Sequence, residues 1–153
     1  MILSLALLLA GERTALGVWE RWAALRDSAP RRCFAIAQPV AADGAPDRSG
    51  AFASVAARYG ASGAPAVFVR LSRARGTGAA ITLAIGERRF ALVGDRRDAR
   101  AADAATDRAI VGAMRGGRAM TVTSADAAGA AISDLYALAG APTAIDAAQL
   151  GCR

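Results

Sequence analysis

The segment Ile81-Thr82-Leu83-Ala84-Ile85-Gly86-Glu87-Arg88-Arg89-Phe90-Ala91-Leu92-Val93 decides the fold class of this 153-residue chain. Its first five residues alternate between large apolar and small or polar side chains, which is the period of a strand with one buried face. Gly86 and Glu87 then separate two apolar runs, and glycine at the first position of a two-residue turn fits a type II′ hairpin. The segment therefore predicts an antiparallel hairpin.

Other short apolar segments are also predicted to be strands, because glycine, proline or charged residues flank them. These segments are Phe34–Gln38, Phe52–Tyr59, Ala66–Ser72, Met120–Ser124 and Ala131–Leu138. The region of residues 16–31, which contains both tryptophans, fits either a helical face or a strand that enters a hairpin. Periodicity leaves both readings open.

One helix is predicted before the paired glycines Gly116-Gly117, with Asp103 or Thr106 as its N-cap. A second short helix is predicted for residues 142–150. The stretch from Asp95 to Arg108 interleaves arginines with aspartates and predicts a solvated loop that leads into the first helix. The fold class is therefore mainly β with one or two short helices, arranged as a β-sandwich or a partly closed barrel.

The N-terminal region has the pattern of an export signal. Residues 1–10 are an apolar run too short to cross a bilayer, and residues 1–17 are predicted to form a signal peptide. Cleavage is expected near Gly17, with a weaker site after Ala10, which leaves residues 18–153 as a single β-rich domain. No later segment is apolar and long enough to cross a membrane, so the mature chain is expected to lack a transmembrane span. Its expected location is periplasmic or extracellular.

Missing residue types narrow the chemistry. The chain has no His and no Lys, so a histidine base, a Schiff-base lysine and a Cys/His zinc site are excluded. Residues 43–49 lack the spacing of a calcium loop. Glu20 flanks the tryptophans, Glu87 lies at a predicted hairpin tip and nearly all the aspartates lie in predicted loops, so a small carboxylate-dependent hydrolase is a remote alternative. The sequence predicts a non-enzyme with no catalytic residue, cofactor or metal site.

Arginine supplies all 19 basic residues, and the net charge is +6. Arg70, Arg73 and Arg75 form a dense group and are a candidate anion-binding site, since guanidinium groups bind phosphate and carboxylate bidentately. The alternative function is therefore a module that binds an acidic polymer or anionic surface. No aromatic residues interleave these arginines for base stacking, so nucleic acid is not the expected partner.

The two cysteines, Cys33 and Cys152, predict a disulfide if the chain is exported, because oxidising compartments favour paired thiols. The alternative is that Cys33 is a small buried apolar residue and that Cys152 is a free thiol in the tail.

Several short motifs resemble the invasion-associated locus B family of exported bacterial proteins. They are Gly17-Val18-Trp19, the run Arg32–Gln38, Ala113–Gly117 with Met120–Thr123, and Tyr136–Gly140 with Thr143–Ile145. The resemblance covers residues 17–150, and the chain resembles a divergent member of the family. It implies an exported, non-enzymatic β domain associated with the cell envelope and with host interaction or invasion. It implies no catalytic residue and leaves the partner, an envelope component or a protein, unknown.

Overall fold

The computed structural model describes residues 11–41, 43–45, 47–57 and 63–153. Within them, ten strands form one antiparallel sheet of order β1-β2-β3-β4-β5-β8-β7-β6-β9-β10, and there are two helices. The elements are β1 Arg13–Trp19, β2 Trp22–Ser28, β3 Arg31–Ala37, β4 Phe52–Ala57, β5 Ala66–Arg70, β6 Ile81–Ile85, β7 Arg88–Gly94, β8 Asp98–Ala101, α1 Ala104–Gly116, β9 Ala119–Ala125, β10 Ala131–Ala137 and α2 Ala141–Gly151. The predicted class is confirmed: the fold is mainly β and consistent with a β-sandwich, and the sheet is not closed into a barrel.

The hairpin that predicted the fold is present. β6 and β7 pair in antiparallel register from Ile85 opposite Arg88 to Ile81 opposite Leu92. Gly86, with φ of 58°, occupies the turn position that disfavours residues with a Cβ. The tryptophan region, for which the sequence left two readings open, is a second hairpin of β1 and β2. It is therefore extended rather than helical.

One prediction of local structure is wrong. The stretch predicted as a solvated loop contains β8, an interior strand that pairs with both β5 and β7. Ala99 and Ala101 are the buried side chains of β8. Alanine adds little to an apolar alternation, so the charged residues between them dominated the sequence pattern.

Both predicted helices are present. The Asp103 side chain caps α1 by accepting a hydrogen bond from the Thr106 N–H at 2.7 Å, and the helix ends before Gly117. Proline stands in the first turn of α2, where its missing N–H removes no intrahelical bond. Neither helix in the described part of the chain is long and apolar enough to span a bilayer.

One core lies between the two halves of the sheet and the two helices. It contains Val55 and Val69 from one half, Leu83 and Val122 from the other, and Ile110 from α1. α2 packs against β1, β2 and β3 on this inner side. The other face of β1–β5 is consequently the outer face of the sheet, and it carries the site described below.

The predicted disulfide is present. Cys33 in β3 and Cys152 after α2 are bonded, with their Cα atoms 5.8 Å apart. Both cysteines belong to a small buried cluster with Ala24 and Ala148. The bond therefore fastens the end of the chain to the sheet, and disulfides of this kind are typical of proteins in oxidising compartments.

Candidate binding site

The outer face of β3, β4 and β5 carries apolar and aromatic side chains. In β3 and β5 the inward positions are small or medium, Ala35 and Ala37 in β3 and Val67 and Val69 in β5, and all are buried. The large side chains of these strands point to the opposite face, because successive side chains in a strand alternate between faces. This aromatic face consists of Phe34, Ile36, Phe52 and Phe68.

The same sheet behaves differently in its other half. The outward positions of β6 and β9 include Thr82, Thr121 and Thr123, while their inward positions hold large apolar residues. This is the usual alternation of an antiparallel sheet with one solvated face. The aromatic face departs from it: Phe34 is buried, but Ile36, Phe52 and Phe68 are partly exposed. Apolar patches that reach the surface in this way mark interaction surfaces.

Two adjoining concavities lie on the aromatic face. One has a volume of about 450 Å³ and is lined by β2, β3 and the start of β4, together with Arg21 and Gln38. The other has a volume of about 370 Å³ and is lined by β3, β4 and β5, with Arg32 at its rim. Ile36 and Phe52 line both, so the two concavities adjoin, and together they are called the outer groove. The Phe52 and Phe68 rings lie 5.7 Å apart in a tilted arrangement that packs one side of the groove.

A network of charged side chains lies at the Arg32 end of the groove. The Asp27 carboxylate accepts hydrogen bonds from Arg13 at 2.6 Å and from Arg32 at 3.0 Å. The Arg13 guanidinium also lies over the Phe34 ring, 5.3 Å from its centroid. The hydrogen bond from Arg13, together with that from Arg32, holds the pKa of Asp27 at about 2, below its ordinary value of 3.8.

Replacing Asp27 by asparagine is expected to lower the free energy of unfolding at pH 7 by about 1 kcal/mol, a modest value because both arginine partners are more than half exposed. The native pKa is depressed, so this stabilisation is complete above pH 4 and is lost as the pH falls toward 2. Urea unfolding of wild type and D27N across this range measures it, with E87Q at a hairpin tip as the control. A difference between wild type and D27N that does not shrink below pH 4 would contradict the role of this network.

Arg70, Arg73 and Arg75, the candidate anion site, each interact with groups within the chain. Arg70 lies on the outer face of β5, 3.4 Å from Asp98. Arg73 lies in the loop region after β5, and its guanidinium donates to Asp126 and to the Ala131 carbonyl. The Arg75 guanidinium donates to three backbone carbonyls, those of Ala79, Gly94 and Asp95. An anion at these arginines would have to compete with bonds already made within the chain, and their role in anion binding stays a prediction.

The buried carboxylates have structural partners. Asp107 accepts a hydrogen bond from the Val67 N–H at 2.8 Å, and Asp134 accepts one from the Ser72 N–H at 2.9 Å. Over the residues that the structure describes, no group of three or more His, Cys, Asp or Glu side chains has the arrangement to hold a metal ion. The geometry that stands out on this chain is therefore the outer groove.

Sequence reasoning did not identify the residues of the outer groove. Its usual assumption, that the larger apolar side chains of a strand face the core, assigns Phe34 and Phe68 to the wrong face. One signal was available. Arg32 and Phe34 are two residues apart in β3 and so lie on the same face of the strand, and the same holds for Phe68 and Arg70 in β5. A phenylalanine on the same face of a strand as an arginine is a candidate for the solvent face.

Comparison with solved structures shows a likeness in fold. No family model and no curated protein matches the sequence. The crystal structure of invasion associated protein B from Bartonella henselae is similar in fold, with a TM-score of 0.64 and 15% sequence identity over 86% of this chain and 92% of that chain. The chain is thus a distant structural relative of that protein. At this identity the likeness establishes the fold and carries no site residue across.

Proposed function

We propose that this chain is an exported, non-catalytic bacterial protein that associates with the cell envelope and acts by binding a partner through its outer groove. The observation that carries the proposal is the aromatic face, which puts three phenylalanines on the solvent side of a sheet whose other half is threonine-rich. Large apolar side chains grouped around a concavity are typical of protein binding sites.

The assignment to invasion-associated locus B proteins, with a role in host interaction or invasion, is part of this proposal. It is supported by the sequence motifs and by the shared fold with a protein whose name records an association with invasion. The Cys33–Cys152 disulfide supports a periplasmic or extracellular location. The absence of His and Lys from the sequence supports a non-enzymatic role.

Export is expected to be accompanied by cleavage within the predicted range, and the fold favours the site after Ala10. Arg13–Trp19 forms β1, so cleavage near Gly17 would remove most of a paired strand and the Arg13 partner of Asp27. Mass spectrometry of the chain recovered from the periplasm or medium is expected to give an N-terminus at Gly11. An intact Met1 on a cytosolic chain would contradict export.

The binding role is tested with purified protein added to isolated bacterial envelopes and to cultured host cells. The variant F52S/F68S removes the partly exposed aromatic pair of the groove and is expected to lower retention on the relevant surface by about tenfold or more, as for anchor residues at an interface. L150S removes an exposed leucine (59% exposed) at the end of α2 and is the matched control, expected to stay within about twofold of wild type. Retention of F52S/F68S equal to that of wild type would reject the outer groove as the binding site.

A further inference from the structure

The chemistry of the outer groove indicates what kind of partner it takes. Its floor follows the outward row of β3, from Arg32 through Phe34 and Ile36 to Gln38. These positions span about 20 Å at the rise of a β-strand. The floor is thus apolar in its middle, and each end has a cationic side chain: Arg32 at one end and Arg21 at the other.

The charged side chains that line the groove are both arginines, and each also bonds within the chain, Arg21 to the Gly44 carbonyl and Arg32 to Asp27. Among the described residues that line the two concavities there is no Asp or Glu, whereas Arg21 and Arg32 both line them. Asp27 lies beside Arg32 but is shared between Arg13 and Arg32. Arg100 is exposed on β8, opposite Phe68 in register. An occupant that carries negative charge at its ends would be complementary to these groups.

We infer that the outer groove binds an extended, acidic segment of a partner protein, with apolar side chains at alternate positions and carboxylates at both ends. This inference rests on the proposed function and names the partner's chemical class. Side chains on the groove floor repeat every second residue, about 6.6 Å apart, and alternate side chains of an extended peptide repeat at the same distance. Successive apolar side chains of the peptide can therefore sit between successive floor residues, and its carboxylates reach Arg21 and Arg32.

Two other anionic partners fit the groove less well. A polysaccharide would need many hydrogen-bonding groups, and Gln38 and Ser54 are the uncharged polar side chains among the described lining residues. A bilayer is bound by apolar side chains that protrude into it. Here Phe34 is only 8% exposed, beneath Arg13, and the surface is concave. A peptide side chain can enter such a concavity.

The test uses the folded, disulfide-bonded chain and a fluorescein-labelled synthetic peptide, Asp-Thr-Val-Ser-Ile-Thr-Asp, with binding measured by fluorescence anisotropy. Two comparison peptides carry Lys at both ends or Ser at the two apolar positions. Wild type and L150S are expected to bind the acidic peptide about tenfold or more tightly than either comparison peptide, and F52S is expected to lose that affinity. The charge-reversal variant R21E/R32E is expected to prefer the lysine-ended peptide. If that variant does not fold, F52S and the peptide series carry the test.

Equal affinity of wild type for the acidic and lysine-ended peptides, or unchanged binding by F52S, would overturn the inference. Binding to phosphatidylglycerol vesicles that depends on Phe52, without peptide binding, would overturn it in favour of a lipid surface. If Phe52 and Phe68 are needed for retention on envelopes or cells but no acidic peptide binds, the peptide class fails and the proposed function stands. If retention is also independent of both phenylalanines, both fail.

Discussion

Replacing Cys33 and Cys152 together by alanine is expected to lower the free energy of unfolding by about 3 to 5 kcal/mol. The two cysteines are 119 residues apart in sequence, and for a loop of this length the chain-entropy relation gives about 5 kcal/mol. Residual structure in the unfolded chain reduces that figure. Alanine keeps the small apolar character of both positions, so the double variant reports mainly on loss of the cross-link. The loss is comparable with the whole stability of many domains, about 5 to 15 kcal/mol.

Urea unfolding of C33A/C152A and of oxidised wild type measures this effect. Wild type unfolded without reductant is expected to show no free thiol and a monomeric mass. Wild type in reductant is the second comparison and is expected to approach the stability of the double variant. Midpoints that agree within error for oxidised wild type and C33A/C152A would contradict a stabilising role for the bond, and two free thiols in the exported protein would contradict the bond itself.

Replacing Trp22 by alanine is expected to lower the free energy of unfolding by about 3 to 5 kcal/mol, the usual cost of removing a large aromatic side chain from a core. Trp22 is 0% exposed, and its indole N–H donates to the Ala137 carbonyl at 2.8 Å. That bond joins β2, near one end of the strand order, to the edge strand β10 at the other end. The side chain thus fills the core and ties together the two halves of the folded sheet.

The variant W22F separates these two contributions. It keeps most of the aromatic volume and removes the N–H, so it is expected to lose about 1 kcal/mol, the net contribution of a hydrogen bond whose acceptor is partly buried. V18A, at an exposed position of β1 (68% exposed), is the control and is expected to change stability by less than about 0.5 kcal/mol. Chemical denaturation of the four proteins gives the values. W22A and W22F both within error of V18A would show that Trp22 does not hold the halves together.

The fold was predictable where the sequence pattern is strong and local. The hairpin around Gly86 and the cap at Asp103 were identified because each depends on a few adjacent residues with a specific backbone or hydrogen-bonding role. β8 was missed because its buried residues, Ala99 and Ala101, contribute little apolar signal. Its place between β5 and β7 comes from long-range pairing, which a local pattern does not record.

The candidate site was not predictable in the same way. Alanine-rich inward rows let α2 pack close to β1–β4, and the larger residues of β3 and β5 then lie outside. Whether Phe34 and Phe68 face the core depends on which face the helices cover, and that is a property of the whole fold. The arginines of the candidate anion site show that closeness in sequence does not by itself create a shared site. Arg73 and Arg75 are close in sequence, yet their guanidinium groups bond to separate partners within the chain.

Hydroxyl-radical footprinting of the wild-type chain, free and bound to envelopes or host cells, tests most directly whether the outer groove is the surface that binds. Oxidation of Phe52 and Phe68 is expected to fall strongly in the bound protein, because a partner in the groove would exclude solvent from both rings. Oxidation of Leu150, which is exposed on α2 at the inner side of the sheet, is expected to stay the same. Bound protein in which Phe52 and Phe68 are oxidised as readily as in the free chain would contradict binding through the outer groove.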